Sequence, residues 1–373
     1  MKLTPVIFFA CLLASMQGFG QVYTDKVVGK KNVETRDSIK ASEYPYALPI
    51  WGDKATKRGF ELPYSAGVNL NYFWQESELI LNNLNVGFNN GPMYNLDEIV
   101  RFNEATASAS AINIRPDVWL FPFLNVYAIL GKAKTSTRIN AGVWVPGSDD
   151  SWTEVSSFST KANFDATTFG IGMTPTIGVG GGFLAIDMNV AWTDVSALDK
   201  PVFTSIIGPR LGKTFRFKQP QRNIAVWVGG FRVAFSSETK GSINLSDVVP
   251  IDGLQAKVDA GIDKVEDKQV QVDNWWGGLT PAEQRNPVNI AKYNTANRAL
   301  GAAGNLFSSM DAALNDGESA TVQYSLDKNL KEKWNFIVGS QFQINKHFML
   351  RLEYGFLGAR TQVIAGIQYR FGL

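Results

Sequence analysis

The sequence predicts an all-β protein: a single antiparallel transmembrane β-barrel of roughly ten to twelve strands, interrupted once by an inserted α-helical hairpin. Three observations predict it. Apolar residues recur at every second position in segment after segment. Beyond the first residues, no uninterrupted apolar stretch reaches the roughly 18 residues that a membrane helix needs. One block, residues 252–316, changes its period from two to the helical three or four.

The chain opens on Lys2, the apolar run from Val6 to Ala14, and the small residues of Gly18-Phe-Gly20. A short apolar core behind a cation, followed by small residues, is the layout of a secretory signal peptide. Residues 1–20 are therefore expected to be removed near Gln21, and the chain to be exported; a buried N-terminal helix is the competing reading. Cys11, the single cysteine, lies inside that run, so the mature chain is expected to have no disulfide, thiolate nucleophile or cysteine metal site. Residues 21–62 are charged and punctuated by Pro45 and Pro49, and read as a periplasmic lead-in or, through "ALPIWG", as a small plug.

From residue 63 to the end the period is two. Val68, Leu70, Tyr72 and Trp74 alternate with Asn69, Asn71 and Gln75. Ile112, Ile114, Val118 and Leu120 alternate with Asn113, Arg115 and Asp117. "VWLFPFLNVYAIL", residues 118–130, is too short for a membrane helix and reads as two strands around a turn at Phe121-Pro-Phe123. Leu184, Ile186, Met188, Val190 and Trp192 oppose Asp187 and Asn189, and Leu211, Phe215 and Phe217 oppose Arg210, Thr214 and Arg216. Near the end, Phe336, Val338 and Phe342 oppose Asn335, Gly339 and Gln341; Phe348, Leu350, Leu352, Tyr354 and Phe356 oppose Arg351 and Glu353; and Val363, Ala365, Ile367, Tyr369 and Phe371 oppose Arg360, Gln362, Gln368 and Arg370. Trp74, Trp119, Trp192, Trp334, Tyr369 and Phe371 sit near segment ends, where interfacial aromatic girdles belong. A soluble β-sandwich shares the alternation, but leaves unexplained why one face is so aromatic and the other so rich in Gly, Asn, Gln and Arg.

Within residues 252–316, Leu254, Val258, Ile262, Val265, Val272 and Trp276 step by three or four, as do Ile290, Tyr293, Leu300, Ala303, Phe307, Met310 and Leu314. Thr280-Pro-Ala-Glu283 between the two runs has the form of a capping box with Pro at the first helical position. A helical hairpin in one barrel loop follows, as a projection that binds a partner protein or as a stabilising lid. Counting turns back from a periplasmic C-terminus puts it outside the cell, and the side inverts if Thr321–Leu326 is a spanning strand.

"RPDVWLFPFLNVYAILG", "IAVWVGGFR", "WNFIVGSQFQINKHFMLRLEYGF" and the terminal "YRFGL" resemble segments of uncharacterised outer-membrane β-barrel proteins of Gram-negative bacteria. The terminal strand resembles the signal that the barrel assembly machinery recognises, departing from it because Gly372 and Leu373 follow the aromatic Phe371. The resemblance covers most of the chain from Pro63. It implies the fold, an outer-membrane location, membrane lipid around the barrel and the assembly machinery as a partner, and brings no activity with it.

Chemistry is sparse. Thirty-six Lys and Arg against 34 Asp and Glu give a net charge of +2, which offers nucleic acid no field. His347, the only histidine, falls in the turn "NKHF" as a solvated side chain without a serine partner, so no enzyme activity is expected. No cofactor or transition metal is expected. Asp149-Asp150 is thin support for Ca²⁺, and "GVGGG", residues 178–182, lacks the Lys and Ser/Thr of a phosphate loop and reads as a strand end and turn. What remains is the inner face: Arg115, Asp117, Asp187, Arg210, Arg216, Arg232, Arg351, Glu353, Arg360 and Arg370 are expected to line the lumen. They would form either an anion-leaning pore or a packed network filling a narrow barrel. The corresponding functions are a passive channel or transporter for small solutes or apolar molecules, and a closed structural or recognition barrel.

Overall fold

Alternation gives every segment one apolar and one polar face, and a strand so built cannot end as a free edge in hydrocarbon; closing the sheet on itself removes the edges. The computed structural model describes residues 30–149, 151–196, 198–219, 221–235, 238–249, 252–316 and 319–373. The expected signal peptide, its cleavage near Gln21 and Cys11 lie outside the described residues.

The strands are β1 (Ala66–Phe88), β2 (Tyr94–Asn95), β3 (Val100–Phe121), β4 (Leu124–Pro146), β5 (Trp152–Val179), β6 (Gly182–Val195), β7 (Val202–Arg216), β8 (Asn223–Phe235), β9 (Glu238–Asn244), β10 (Thr321–Leu330), β11 (Trp334–Gln343), β12 (Phe348–Phe356) and β13 (Arg360–Phe371). Ten of them form a closed antiparallel ring in the order β1, β3, β4, β5, β6, β7, β8, β11, β12, β13, and β13 pairs back onto β1 from Ala66↔Phe371 to Ser77↔Arg360. Phe121 ends β3 and Leu124 begins β4. "GVGGG" is the β5–β6 turn, where Gly180 and Gly181 take φ of 57° and 82°, a left-handed backbone that glycine adopts without strain.

Beyond Ser77, β1 changes partner. It pairs with β10 from Leu79↔Leu330 to Phe88↔Val322, and β10 pairs with β9. The long upper parts of β3, β4 and β5 continue beside it, so a second storey of wall stands on one side of the ring, at the end opposite the C-terminus. Thr321–Leu330 belongs to this storey and is not a member of the closed ring.

The connection between β9 and β10 carries the helices. After α1 (Lys30–Lys40) and α2 (Gly52–Lys57) near the N-terminus come α3 (Leu245–Val248), α4 (Leu254–Gly278), α5 (Pro281–Gln284) and α6 (Pro287–Leu314). The capping box forms: the Thr280 amide donates to Glu283 Oε2 at 2.8 Å and the Glu283 amide donates to Thr280 Oγ1 at 3.4 Å. Asn286 caps α6 by accepting from the Val288 amide at 2.9 Å. No described helix is long and apolar enough to cross a membrane, so a crossing would be made by strands.

The hairpin of α4 and α6 lies in the concavity of the upper wall. Val258, Leu300 and Phe307 are fully buried together with Ile99, Val143, Val145 and Val155 of that wall, in one apolar cluster. Where β5 rises above β6 its edge has no strand partner, and α4 covers it: Lys264 Nζ donates to the Val155 carbonyl at 3.0 Å and Lys257 Nζ reaches the Ser157 carbonyl at 3.5 Å. An exposed edge would template pairing with another chain, and charged covering prevents it. At the opposite end, residues 48–61 lie against the short turns. Ile50 N–H donates to the Leu120 carbonyl at 2.8 Å, the Trp51 and Phe121 rings sit 5.0 Å apart, and Glu61 pairs with Arg216 at 2.9 Å.

Candidate functional site

The two faces of the ring are sharply different. Outward stand Val68, Leu70, Tyr72, Ile112, Ile114, Leu130, Phe169, Ile171, Leu211, Val228, Phe336, Leu350, Leu352, Tyr354 and Ile367, all exposed. On β12 the outward apolar row runs the full nine residues. At about 3.3 Å per residue and a tilt near 40°, that row is about 23 Å tall, close to the ~25 Å apolar band of a membrane barrel. The girdle assignment changes at one position: Trp119 lies on the inner face, in register with buried Asn125, because it keeps the parity of Arg115 and Asp117 to the bulge before Phe121.

Inside, the charges meet one another. Arg210 of β7 donates Nε and Nη2 to the two oxygens of Glu353 at 2.8 and 3.1 Å, across the two strands β8 and β11 that separate β7 from β12. Its Nη1 pairs with Asp187, which also accepts from Thr174 Oγ1 at 2.6 Å. Arg351 approaches Glu353 at 3.3 Å, and the Trp227 indole N–H donates to the same carboxylate at 2.8 Å. Arg210, Asp187 and Glu353 are 5%, 6% and 1% exposed. A second knot sits on β13, β1, β3 and β4: Asp117 pairs with Arg370 at 2.9 Å and accepts from Asn125 at 2.7 Å, Gln368 at 3.0 Å and Asn69 at 3.1 Å. Between the knots, Arg115 lies 3.9 Å over the Tyr127 ring and the Tyr127 hydroxyl donates to Asn189 at 2.7 Å. Gly172 of β5 makes that crossing possible, since a Cβ there would stand 2.3 Å from the Tyr127 ring.

Buried charge is tolerated when it is paired and hydrogen-bonded; Arg210 meets that requirement through Glu353, Asp187 and the Gly208 carbonyl, while Nε of Arg115 and of Arg351 is buried without a hydrogen-bond partner among the described residues. Arg360 is inward and buried too, donating Nη2 to the Phe231 carbonyl at 2.8 Å, but among the described residues it has no carboxylate partner and its Nε and Nη1 are buried without a hydrogen-bond partner. Arg216 keeps the inward parity at the turn end, paired with Glu61. Arg232 does not share this face. In β8 the inward positions are Trp227, Phe231 and Val233, and Arg232 stands outward in register with Ile207 and Trp334. Its charge suggested a lumen residue, but strand parity places it beside the upper aromatic rim, where a long cation reaches water.

Sequence reasoning missed the role of neutral residues in the network. Tyr127, Asn125, Asn69 and Trp227 each complete it, and the available signal was that they share parity with the inward arginines. His347 also differs from a solvated turn side chain: its Nδ1 is 2.8 Å from the Arg370 carbonyl and its ring lies between Tyr64 and Tyr369, at 4.7 and 5.6 Å. Asp149 accepts from the Ser151 amide and hydroxyl at 3.1 and 2.6 Å, and Asp150 lies outside the described residues. Among the described residues no group of three or more His, Cys, Asp or Glu side chains is placed to hold a metal ion.

Above the ring, Arg298 of α6 ties the hairpin to the connection before β3, donating Nε and Nη2 to Glu98 at 2.7 Å each. That bidentate bond holds the Glu98 carboxyl below the usual carboxylate range.

No protein-family model matches the chain, and no curated protein matches it either. Among solved structures it is similar to the translocator domain of the autotransporter NalP from Neisseria meningitidis, at 8% identity and a TM-score of 0.32 over 85% of this chain and 92% of that one. It is also similar to the COG4313 outer membrane channel from Pseudomonas putida F1, at 8% identity and a TM-score of 0.27 over 83% and 97%. A third is a Pseudomonas aeruginosa FadL homologue, at 7% identity and a TM-score of 0.28 over 90% and 97%. The closed ring and its apolar outer band decide the class. The chain is a membrane β-barrel.

Proposed function

We propose that this is a closed barrel of the Gram-negative outer membrane, exported and folded there through its C-terminal strand, whose helical hairpin stands outside the cell as a surface for a partner protein. The observation that carries this reading is the pair of desolvated charge knots, Arg210–Glu353–Asp187 and Arg370–Asp117, strung across the bore below the upper wall against which α4 and α6 lie. A passing solute would have to break buried ion pairs, each costing several kcal/mol. The outward side of the hairpin turn is rich in the residues that anchor interfaces. Trp276 stacks on Tyr293 at 4.4 Å, Lys292 lies 4.8 Å over Trp275, and Val270 and Val288 are 57% and 72% exposed.

Single-channel recording of the refolded protein in planar bilayers tests closure, and silence is expected both with and without Gly253–Asp316. Steady, anion-preferring conductance of the intact protein would restore the passive-channel reading, with Arg115, Arg210 and Arg351 as its selective surface. The side is tested by placing a cysteine at Arg285 and labelling intact cells with a membrane-impermeant maleimide; labelling is expected, and protection would put the hairpin in the periplasm.

A further inference from the structure

Charge does not balance on the inner face of the ring. Arg210 and Arg351 are matched by Asp187 and Glu353, and Arg370 is matched by Asp117. Arg216, at the turn end, has Glu61. Arg115 and Arg360 are left over. Arg115 lies close over the Tyr127 ring, whereas Arg360 has the Phe231 carbonyl and, at 5.5 Å, the ring of the same residue. The next inward charge above it, Lys328 of β10 in register with Leu81, is another cation, and its Nζ donates to Thr137 Oγ1 at 3.2 Å.

The neighbours of Arg360 sharpen the imbalance. Arg360, Asn335 and Gln362 are 2%, 4% and 0% exposed. Nε and Nη1 of Arg360, and the oxygen and nitrogen of both carboxamides, are buried without a hydrogen-bond partner among the described residues. The sheet brings them together. Gly355 of β12 is in register with Gln362 of β13, and a Cβ on it would stand 2.4 Å from Gln362 Cγ and 2.8 Å from Asn335 Nδ2, so both amides converge over that glycine. Asn335 is in register with Phe231, the residue whose carbonyl Arg360 reaches across β12 and β11. Ser77 of β1, buried and in register with Arg360, accepts from Gln75 Nε2 at 2.9 Å and keeps its own O–H to donate. Leu79, Val233 and Leu330 follow above, in one apolar cluster with Phe231 and Ile337.

Buried polar atoms seldom go unpaired, and a buried charge without a counter-charge costs far more than a neutral group. Four of these six atoms are donors, and the one formal charge among them is positive. The group that satisfies them is therefore an acceptor with negative charge. Apolar side chains bound the place above, and the amides meet over a residue without a side chain, so the acceptor is small.

We infer that the bore holds a small monovalent anion of halide size, bound by Arg360, Asn335 and Gln362 at the upper end of the ring, with Ser77 beside it. Arg360 and Gln362 stand on β13 and Ser77 on β1, so the site is complete only when those two strands pair. The anion is captured as the ring closes and serves as a counter-ion inside the finished barrel. This goes beyond the closed-barrel reading, and its test reads the site itself without reference to conductance.

The test is equilibrium unfolding of the refolded full chain in lipid vesicles, with chloride raised from about 20 to about 200 mM against gluconate at constant ionic strength; an anion that binds only the folded barrel shifts the equilibrium by mass action. A filled single site lowers the unfolding equilibrium constant of wild type ~10-fold over that range. Arg360→Met removes the charge that the anion balances and is expected to lose the dependence, whereas Arg232→Gln on the lipid side keeps it. Asn335→Leu retains the charge and is expected to show a weaker dependence than wild type. Bromide gives the position: wild-type crystals grown in bromide are expected to show its anomalous signal within hydrogen-bonding distance of the Arg360 guanidinium. Equal chloride dependence in wild type and Arg360→Met overturns the inference. So does a site free of bromide in which ordered water alone meets Arg360, Asn335 and Gln362.

Discussion

Glu353 is the point at which the bore can be tested by a single substitution. Its carboxylate takes two hydrogen bonds from Arg210, one from Arg351 and one from the Trp227 indole, and is 1% exposed. Glu353→Ala leaves Arg210 and Arg351 to share Asp187 and orphans an indole N–H. Breaking a buried pair costs about 3–5 kcal/mol, and an unsatisfied buried donor adds about 1 kcal/mol, so the expected loss is about 4–6 kcal/mol. Glu353→Gln, which keeps an acceptor for Trp227, is expected to lose less. The assay is equilibrium denaturation in lipid vesicles followed by tryptophan fluorescence, with the gel shift of the folded barrel as a second probe. The pair Arg210→Met and Glu353→Met should cost at least about 2 kcal/mol less than the sum of the two singles, because both ends of the desolvated interaction leave together. A Glu353→Ala protein within about 1 kcal/mol of wild type would mean that water reaches the network and would refute the closed bore.

Other outcomes follow from the same geometry. Phe307→Ala removes a fully buried ring from the seam between hairpin and wall; a loss of about 3–5 kcal/mol is expected, read as faster proteolysis within residues 252–316 while the barrel core stays intact. The Glu98 carboxyl is held low by Arg298, so the stability it lends is full above the unfolded carboxylate value near ~4.3 and is lost as pH falls through the lower folded value. Amide exchange in α6 should therefore accelerate on acidification below about pH 4.5, and Arg298→Gln should remove that dependence. Arg232→Gln, on the lipid side, is expected to change stability by less than about 1 kcal/mol, whereas Arg210→Gln should cost about 3 kcal/mol or more; equal effects would contradict the strand parity of β8. Lys264→Ala uncovers a carbonyl on the free edge of β5, and increased self-association on light scattering is the expected result.

The ring was legible because alternation in a barrel has a single physical cause: one face meets lipid and the other meets the bore. Val68 through Trp74 and Phe348 through Phe356 announce their faces residue by residue, and the Thr280–Glu283 box announces a helix start. The second storey was not legible. Val143, Val145 and Val155 are inward yet apolar because the wall there meets helices, and Leu79 and Leu81 because they meet Phe231, Val233 and Ile337 inside the barrel, so the polarity rule reverses while the period stays the same. Arg232 misled for a related reason, since a charge near an aromatic rim can point outward and still reach water. Trp119 misled in the opposite direction, an aromatic at a strand end that the parity of its neighbours turns inward. The partners of each arginine were invisible because pairs such as Arg210 and Glu353 are 143 residues apart and joined only by ring geometry.

The change of partner along β1 sets an order of assembly. Its lower half waits for β13, some 300 residues away, and its upper half for β10. The α4–α6 hairpin, closed by a short link around Pro281, needs only its own neighbours, and local contacts form first. The hairpin should then reach the membrane already paired, exposing the seam of Val258 and Phe307 until β1 and β10 zip and give it a wall. During that interval the precursor carries an apolar stripe in water, so chaperone dependence should rise with the stickiness of that stripe, independently of how stable the finished barrel is.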